Sequence, residues 1–148
     1  MNTNMRFITL IFLLIAPSFV AAQKFDNLAY MIVISPVYIE LIDNANGGCW
    51  TNLMEAKNYA AGQVDIAGGK VVETSQEAYS IFSINVIAER MDSGRCFGTV
   101  IVSFYRPDWN EGVGVLTMWS QYARAAVQLN FNNFTLDVIK EGIEEWKF

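Results

Sequence analysis

Between Ala78 and Tyr105 apolar and polar positions alternate with a period of two. Phe82, Ile84, Val86 and Ala88 fall on one row of a first segment. Val100, Val102 and Phe104 fall on one row of a second, with Thr99, Ile101 and Ser103 on its other row. Successive side chains of a strand point to opposite faces, so this spacing predicts two strands, each with one buried face. Met91-Asp92-Ser93-Gly94-Arg95 between them has the polar and glycine chemistry of a hairpin loop. The rest of the chain reads as packing on this hairpin.

Leu28 to Ile42 is rich in β-branched and aromatic residues and predicts a strand, or two short ones, interrupted at Pro36. Proline cannot donate to a ladder, which places this element at a sheet edge or at a bulge. Asp43 to Gly48 predicts a loop. Leu53, Ala56, Ala60, Val64 and Ala67 recur at helical spacing and predict a helix from about Asn52 to Ala67. Asn52 and Glu55 have the spacing of a capping box, with Thr51 as a competing N-cap, and Gly68-Gly69 ends the helix. Lys70 to Glu73 predicts a short strand and Thr74 to Glu77 a turn. Arg106 to Gly112 predicts a surface loop with an exposed Trp109. Val113 to about Tyr122 predicts a further strand, and Ala123 to Phe131 fits either its extension or a loop. Leu136, Ile139, Ile143 and Trp146 form the apolar stripe of a closing helix capped by Asn132 or Asn133, with Asp137, Glu141 and Glu144 opposite.

This order predicts an α+β fold. It is a two-layer sandwich, a mostly antiparallel sheet of about four to five strands with two helices packed on one face. A helix followed by Gly69-Lys70-Val71-Val72-Glu73 and a closing C-terminal helix resembles small periplasmic domains such as the N-terminal domain of the Tol-system translocation protein. The resemblance implies a layout and transfers no site residue.

The start of the chain changes the picture of where this fold resides. Arg6 precedes an apolar run from Phe7 to Ala16, and Val20-Ala21-Ala22 supplies small residues for cleavage. This is the three-part pattern of a secretory signal, residues 1–22, whose apolar run is too short to span a bilayer, which takes about 20 apolar residues. One exported domain, residues 23–148, is then expected, with no stable membrane span after cleavage. Residues 1–22 contain Arg6 and no carboxylate, so the mature chain has 9 Lys+Arg against 15 Asp+Glu, a net charge of −6. That charge argues against nucleic acid as a partner. Two cysteines remain, Cys49 and Cys96, and an even count in an exported chain predicts one disulfide. Two cysteines without histidine do not make an ordinary zinc site, and their spacing is not that of a Cys-x-x-Cys redox pair.

Candidate chemistry is sparse. The chain has no histidine, which excludes Ser-His-Asp and Cys-His nucleophile systems and His-ligated metals. No phosphate-binding glycine motif is present. Asp43-Asn44-Ala45-Asn46-Gly47-Gly48 resembles the start of a calcium loop, but Met54 stands at its twelfth position, where a carboxylate is needed. Glu89 with Asp92, and Asp108 with Glu111, are carboxylate pairs near in sequence, both at predicted turns. Asn133-Phe134-Thr135 fits a glycosylation sequon, relevant only in a eukaryotic secretory pathway.

Binding features are stronger. Trp109, flanked by Asp108 and Glu111, is the best candidate for an exposed aromatic, and Trp50, at the glycine-rich helix start, is a further candidate binding residue. Gly47-Gly48 before Cys49 fits an anion-holding helix entry, or a turn that lets Cys49 reach Cys96. The expectation is a non-enzymatic binding or accessory protein of the cell envelope, with a protein partner and no cofactor. The second reading is an acidic, disulfide-stapled inhibitor or immunity protein acting on a cationic hydrolase or toxin through Asp108 to Glu111. A carboxylate hydrolase is third.

Overall fold

The computed structural model describes residues 36–110 and 113–146, with side chains other than those of residues 108–119 and 146. The signal-like residues 1–22 and the predicted strand residues before Pro36 lie outside them. Five strands, β1 (Pro36–Ala45), β2 (Lys70–Val72), β3 (Ser80–Arg90), β4 (Cys96–Asn110) and β5 (Val113–Gln128), form one sheet in the order β2-β1-β3-β4-β5. Two helices, α1 (Leu53–Ile66) and α2 (Asn132–Trp146), complete an α+β fold.

Alternation decides which face the helices cover. Val37, Ile39, Phe82, Ile84, Val86, Val100, Val102 and Phe104 are buried, and the register pairs Ile39 with Phe82, Phe82 with Phe104 and Ile84 with Val102 on one face. From α1, Ala56, Ala60 and Val64 join this core. From α2, Phe134, Val138, Ile139 and Ile143 do, with Phe131 just ahead of the helix. The stripe of α2 thus includes Val138 and Phe134, and Leu136 is only partly buried against it.

The sheet is mixed. β3, β4 and β5 are antiparallel neighbours, whereas β1 runs parallel to both β2 and β3. The parallel pair β1/β2 follows from α1, which carries the chain back to the starting end of the sheet. The edge position predicted for the Pro36 element is not found, because β1 lies inside the sheet. Proline is accommodated as the first residue of the strand, where it interrupts no ladder, and its carbonyl accepts the Tyr79 N–H at 2.9 Å.

Helix ends follow backbone chemistry. Gly68 has φ 86°, and the Gly68 and Gly69 N–H groups donate to Asp65 O (2.8 Å) and Val64 O (2.9 Å), a Schellman termination. At the start of α1 the capping box does not form. Asn52 Nδ2 donates to Glu55 Oε2 at 2.7 Å, and no side chain caps the helix backbone. At the start of α2 neither Asn132 nor Asn133 is the cap. Phe131 O accepts the first helical N–H, from Thr135 at 2.8 Å, and Asn130 Oδ1 accepts the Asn132 N–H at 3.1 Å. This frees the Asn132 side chain to cross to Thr51, whose N–H it accepts at 3.0 Å.

Cys49 and Cys96 are bonded, and both are buried. Gly47 and Gly48 precede the bond with φ 62° and 69°. Their carbonyls accept Arg90 Nε (2.6 Å) and Nη2 (3.2 Å), and Arg90 Nη1 reaches Gly94 O at 2.5 Å. One guanidinium therefore ties the loop before the disulfide to the β3–β4 hairpin. The glycines serve the turn toward Cys96.

Candidate functional site

The opposite face of the sheet carries no described helix. Its rows are Tyr38, Glu40, Ile42 and Asn44 on β1; Ile81, Ser83, Asn85, Ile87 and Glu89 on β3; Phe97, Thr99, Ile101, Ser103 and Tyr105 on β4; and Gln121, Ala123, Ala125 and Val127 on β5. Ile81, Ser83 and Ser103 are buried at one end. Toward the hairpin end exposure rises, and three large apolar side chains emerge: Phe97 at 56%, Ile87 at 46% and Val127 at 41% exposed. Phe97 pairs directly with Val127 and is diagonal to Ile87, within side-chain reach on one face. Contiguous apolar residues of this kind mark interaction surfaces far more than isolated ones do.

Polar groups frame the cluster. Asn44, Asn46, Ile87, Glu89, Phe97 and Thr99 line a shallow hollow of about 360 Å³. Glu89 is its one carboxylate lining group among the described residues, so a pair for acid–base hydrolysis is not assembled there. Asp92 lies outside that lining, in the exposed hairpin loop. Among the described residues no group of three or more potential ligands gathers to hold a metal ion.

Two tyrosine–carboxylate contacts fix the flanks. Tyr105 O–H donates to Glu40 Oε2 at 2.8 Å, crossing β3 on the helix-free face. Burial, and then the Glu40 bond and charge, push the Tyr105 hydroxyl well above its ordinary value. On the helix side Glu141 accepts Arg124 Nη1 at 2.6 and 2.7 Å and Tyr122 O–H at 3.0 Å. The Arg124 bond holds the Glu141 carboxyl below its ordinary range, and Glu141 in turn raises Tyr122.

The sequence candidates separate. Trp50 is 4% exposed and belongs to the core beside Cys49 and Cys96, so it offers no binding surface; its position next to the disulfide buries it. Asp108 and Trp109 lie on β4 and not in a loop, opposite Val115 and Gly114 of β5. Their side chains and Glu111 lie outside the described ones. β3 ends its pairing at Tyr105, so residues 106–110 and 113–117 pair only with one another among the described residues. This is a two-stranded ribbon reaching about 17 Å past the sheet, at about 3.4 Å per residue. Of the predicted loop Arg106 to Gly112, Arg106 to Asn110 are strand, and Glu111 and Gly112 lie outside the described residues.

Phe97, Ile87 and Val127 escape sequence reasoning because each is unremarkable alone. Only the register joins them. The available signal was that Ile87 and Phe97 are large apolar residues near the hairpin on the rows opposite the core. No protein-family model matches the chain, and no curated protein is significantly similar to it.

Proposed function

We propose that this chain is a small exported, non-enzymatic binding module of the cell envelope, which holds a protein partner on the helix-free face of its sheet. The observation that carries the reading is the exposed cluster of Phe97, Ile87 and Val127 on a strand scaffold stapled by a buried disulfide. Such a scaffold presents apolar groups without ordering them at the moment of binding. Export is supported by the signal-like pattern of residues 1–22 and by the disulfide, which persists in oxidising compartments. Among the described residues no helix is long and apolar enough to cross a membrane.

The test uses the mature chain, Gln23 to Phe148, as bait in envelope extract at low and high salt. A partner held at high salt by the wild type and lost by Phe97→Ser supports the reading. A partner retained by Phe97→Ser overturns it.

A second reading has its own observation. The β4–β5 ribbon carries the backbone of Asp108 away from the rest of the sheet, a geometry suited to an acidic inhibitor entering a cationic cleft. A basic partner that dissociates at high salt and ignores Phe97→Ser points to it.

A further inference from the structure

The two edges of the sheet are treated differently. β2 is three residues long, and short edge strands resist pairing. β5 is sixteen residues long, contains no proline or lysine, and pairs on one side only among the described residues.

The direction of its backbone groups follows from the hairpin. Met91 N–H donates to Arg95 O at 2.8 Å. Bonded and non-bonded pairs alternate along an antiparallel ladder, so Glu89/Phe97 and Ile87/Thr99 are bonded pairs, whereas Ala88/Gly98 is not. The Ala88 carbonyl agrees, since it turns away from β4 and accepts the Asn46 N–H at 2.8 Å. Phe97 and Thr99 therefore spend their N–H and C=O groups on β3. Their β5 partners, Val127 and Ala125, turn theirs outward, as do Ala123 and Gln121 beyond them. Of these groups, the Val127 carbonyl is reached by Arg95 Nη2 at 3.3 Å.

The side chains flanking this edge differ between faces. On the helix-free side the row is Gln121, Ala123, Ala125 and Val127, exposed and mostly small and apolar. On the helix side Asp137, Glu141 and Glu145 occupy one stripe of α2. The charges of Asp137 and Glu141 act on Arg124, and that of Glu145 acts on Tyr122. Arg124 engages one of these three carboxylates, Glu141.

We infer that the outer edge of β5 from Gln121 to Val127 accepts an added strand from a partner protein, an extended segment alternating apolar residues with lysine or arginine. The apolar positions lie over Ala123 and Ala125 and continue toward Val127 and Phe97. The basic positions face Asp137 and Glu145. Main-chain bonds supply affinity in this mode and the side-chain rows supply selectivity. The inference rests on the reading of the protein as a binding module and gives that partner its chemistry, on a surface adjoining the Phe97 cluster.

The probes are capped peptides of about eight residues alternating Val with Lys, the same peptide with Glu for Lys, and the Lys peptide N-methylated at alternate residues. The Lys peptide is expected to bind at least about tenfold more tightly than the Glu peptide, and the N-methylated one not at all. The Ala123 and Ala125 amides are expected to slow in hydrogen exchange only in the complex. Ala125→Pro removes an outward N–H and no ladder bond, and is expected to abolish binding. Should that variant unfold, the wild-type exchange pattern still decides. Binding that survives N-methylation, protection on another strand, or no binding overturns the inference. So does protection of Ala123 and Ala125 that rises with protein concentration alone, which would assign the edge to a second copy. None of these readouts involves Phe97→Ser, so the face reading and the edge inference fail separately.

Discussion

A methyl group added at Gly98 would lie 2.2 Å from the Ile87 carbonyl oxygen and 2.6 Å from Ala88 Cα, both backbone atoms. Added at Gly62 it would meet nothing within 4 Å. The two glycines therefore predict opposite outcomes. Gly62→Ala removes a helix-weakening residue from α1 and is expected to raise stability by up to about 1 kcal/mol. Gly98→Ala forces β3 and β4 apart and is expected to lower it by about 2–3 kcal/mol. Urea midpoints at unchanged slope check both. At this scale the sequence was informative where a residue's role is local. The Gly68-Gly69 stop was legible because a left-handed residue ends helices. Trp50 was not, because burial beside Cys49 depends on a chain 47 residues away.

At the scale of elements, period-two rows made β3 and β4 up to Tyr105 readable, since Phe82 to Ala88 and Val100 to Phe104 are apolar on one row. The stretch of β4 from Arg106 to Asn110 read as a loop because Pro107, Asp108 and Asn110 are loop formers. The end of β5 was ambiguous because Ala123, Ala125 and Ala126 have little strand preference. Their pairing with Ile101, Thr99 and Gly98 decides it. The parallel course of β1 was hidden because Tyr38 and Glu40 alternate with Val37 and Ile39, as an antiparallel strand's residues would. Tyr105 ties these elements together, and its hydroxyl, raised by burial and then by the bond to Glu40, has a pH signature. A hydroxyl whose folded value lies above its unfolded value of 10.0 contributes stability below that value and loses it as pH rises further. The wild type is expected to lose stability as pH climbs beyond about 10, and Tyr105→Phe to lose less. The variant keeps part of the slope, since Tyr122 is raised in the same direction by Glu141. Unfolding midpoints measured on both sides of that pH test this.

At the scale of the whole molecule, two layers and their shared core were legible from composition and spacing. The proposed interaction surfaces were not, because a sheet face and a sheet edge exist only once strands are ordered side by side. The disulfide spans this scale. Its reduction is expected to lower stability by about 3–4 kcal/mol through the freed unfolded chain, measurable as a lower urea midpoint in reductant. The Cys49→Ser, Cys96→Ser double variant should match the reduced protein.

The position of that bond also bears on the path to the fold. The parallel register of β1 and β3 begins with Val37 opposite Ser80, so the chain must bring together segments far apart in sequence before any ladder bond repays it. The disulfide closes a loop of similar length, from Cys49 to Cys96, just past the other end of that register at Ala45 and Ala88. An oxidised chain therefore starts its search already looped, with the slowest encounter in the sheet partly made. Such a chain is expected to close the sheet faster than a reduced one, so the bond would act on assembly as well as on the finished structure.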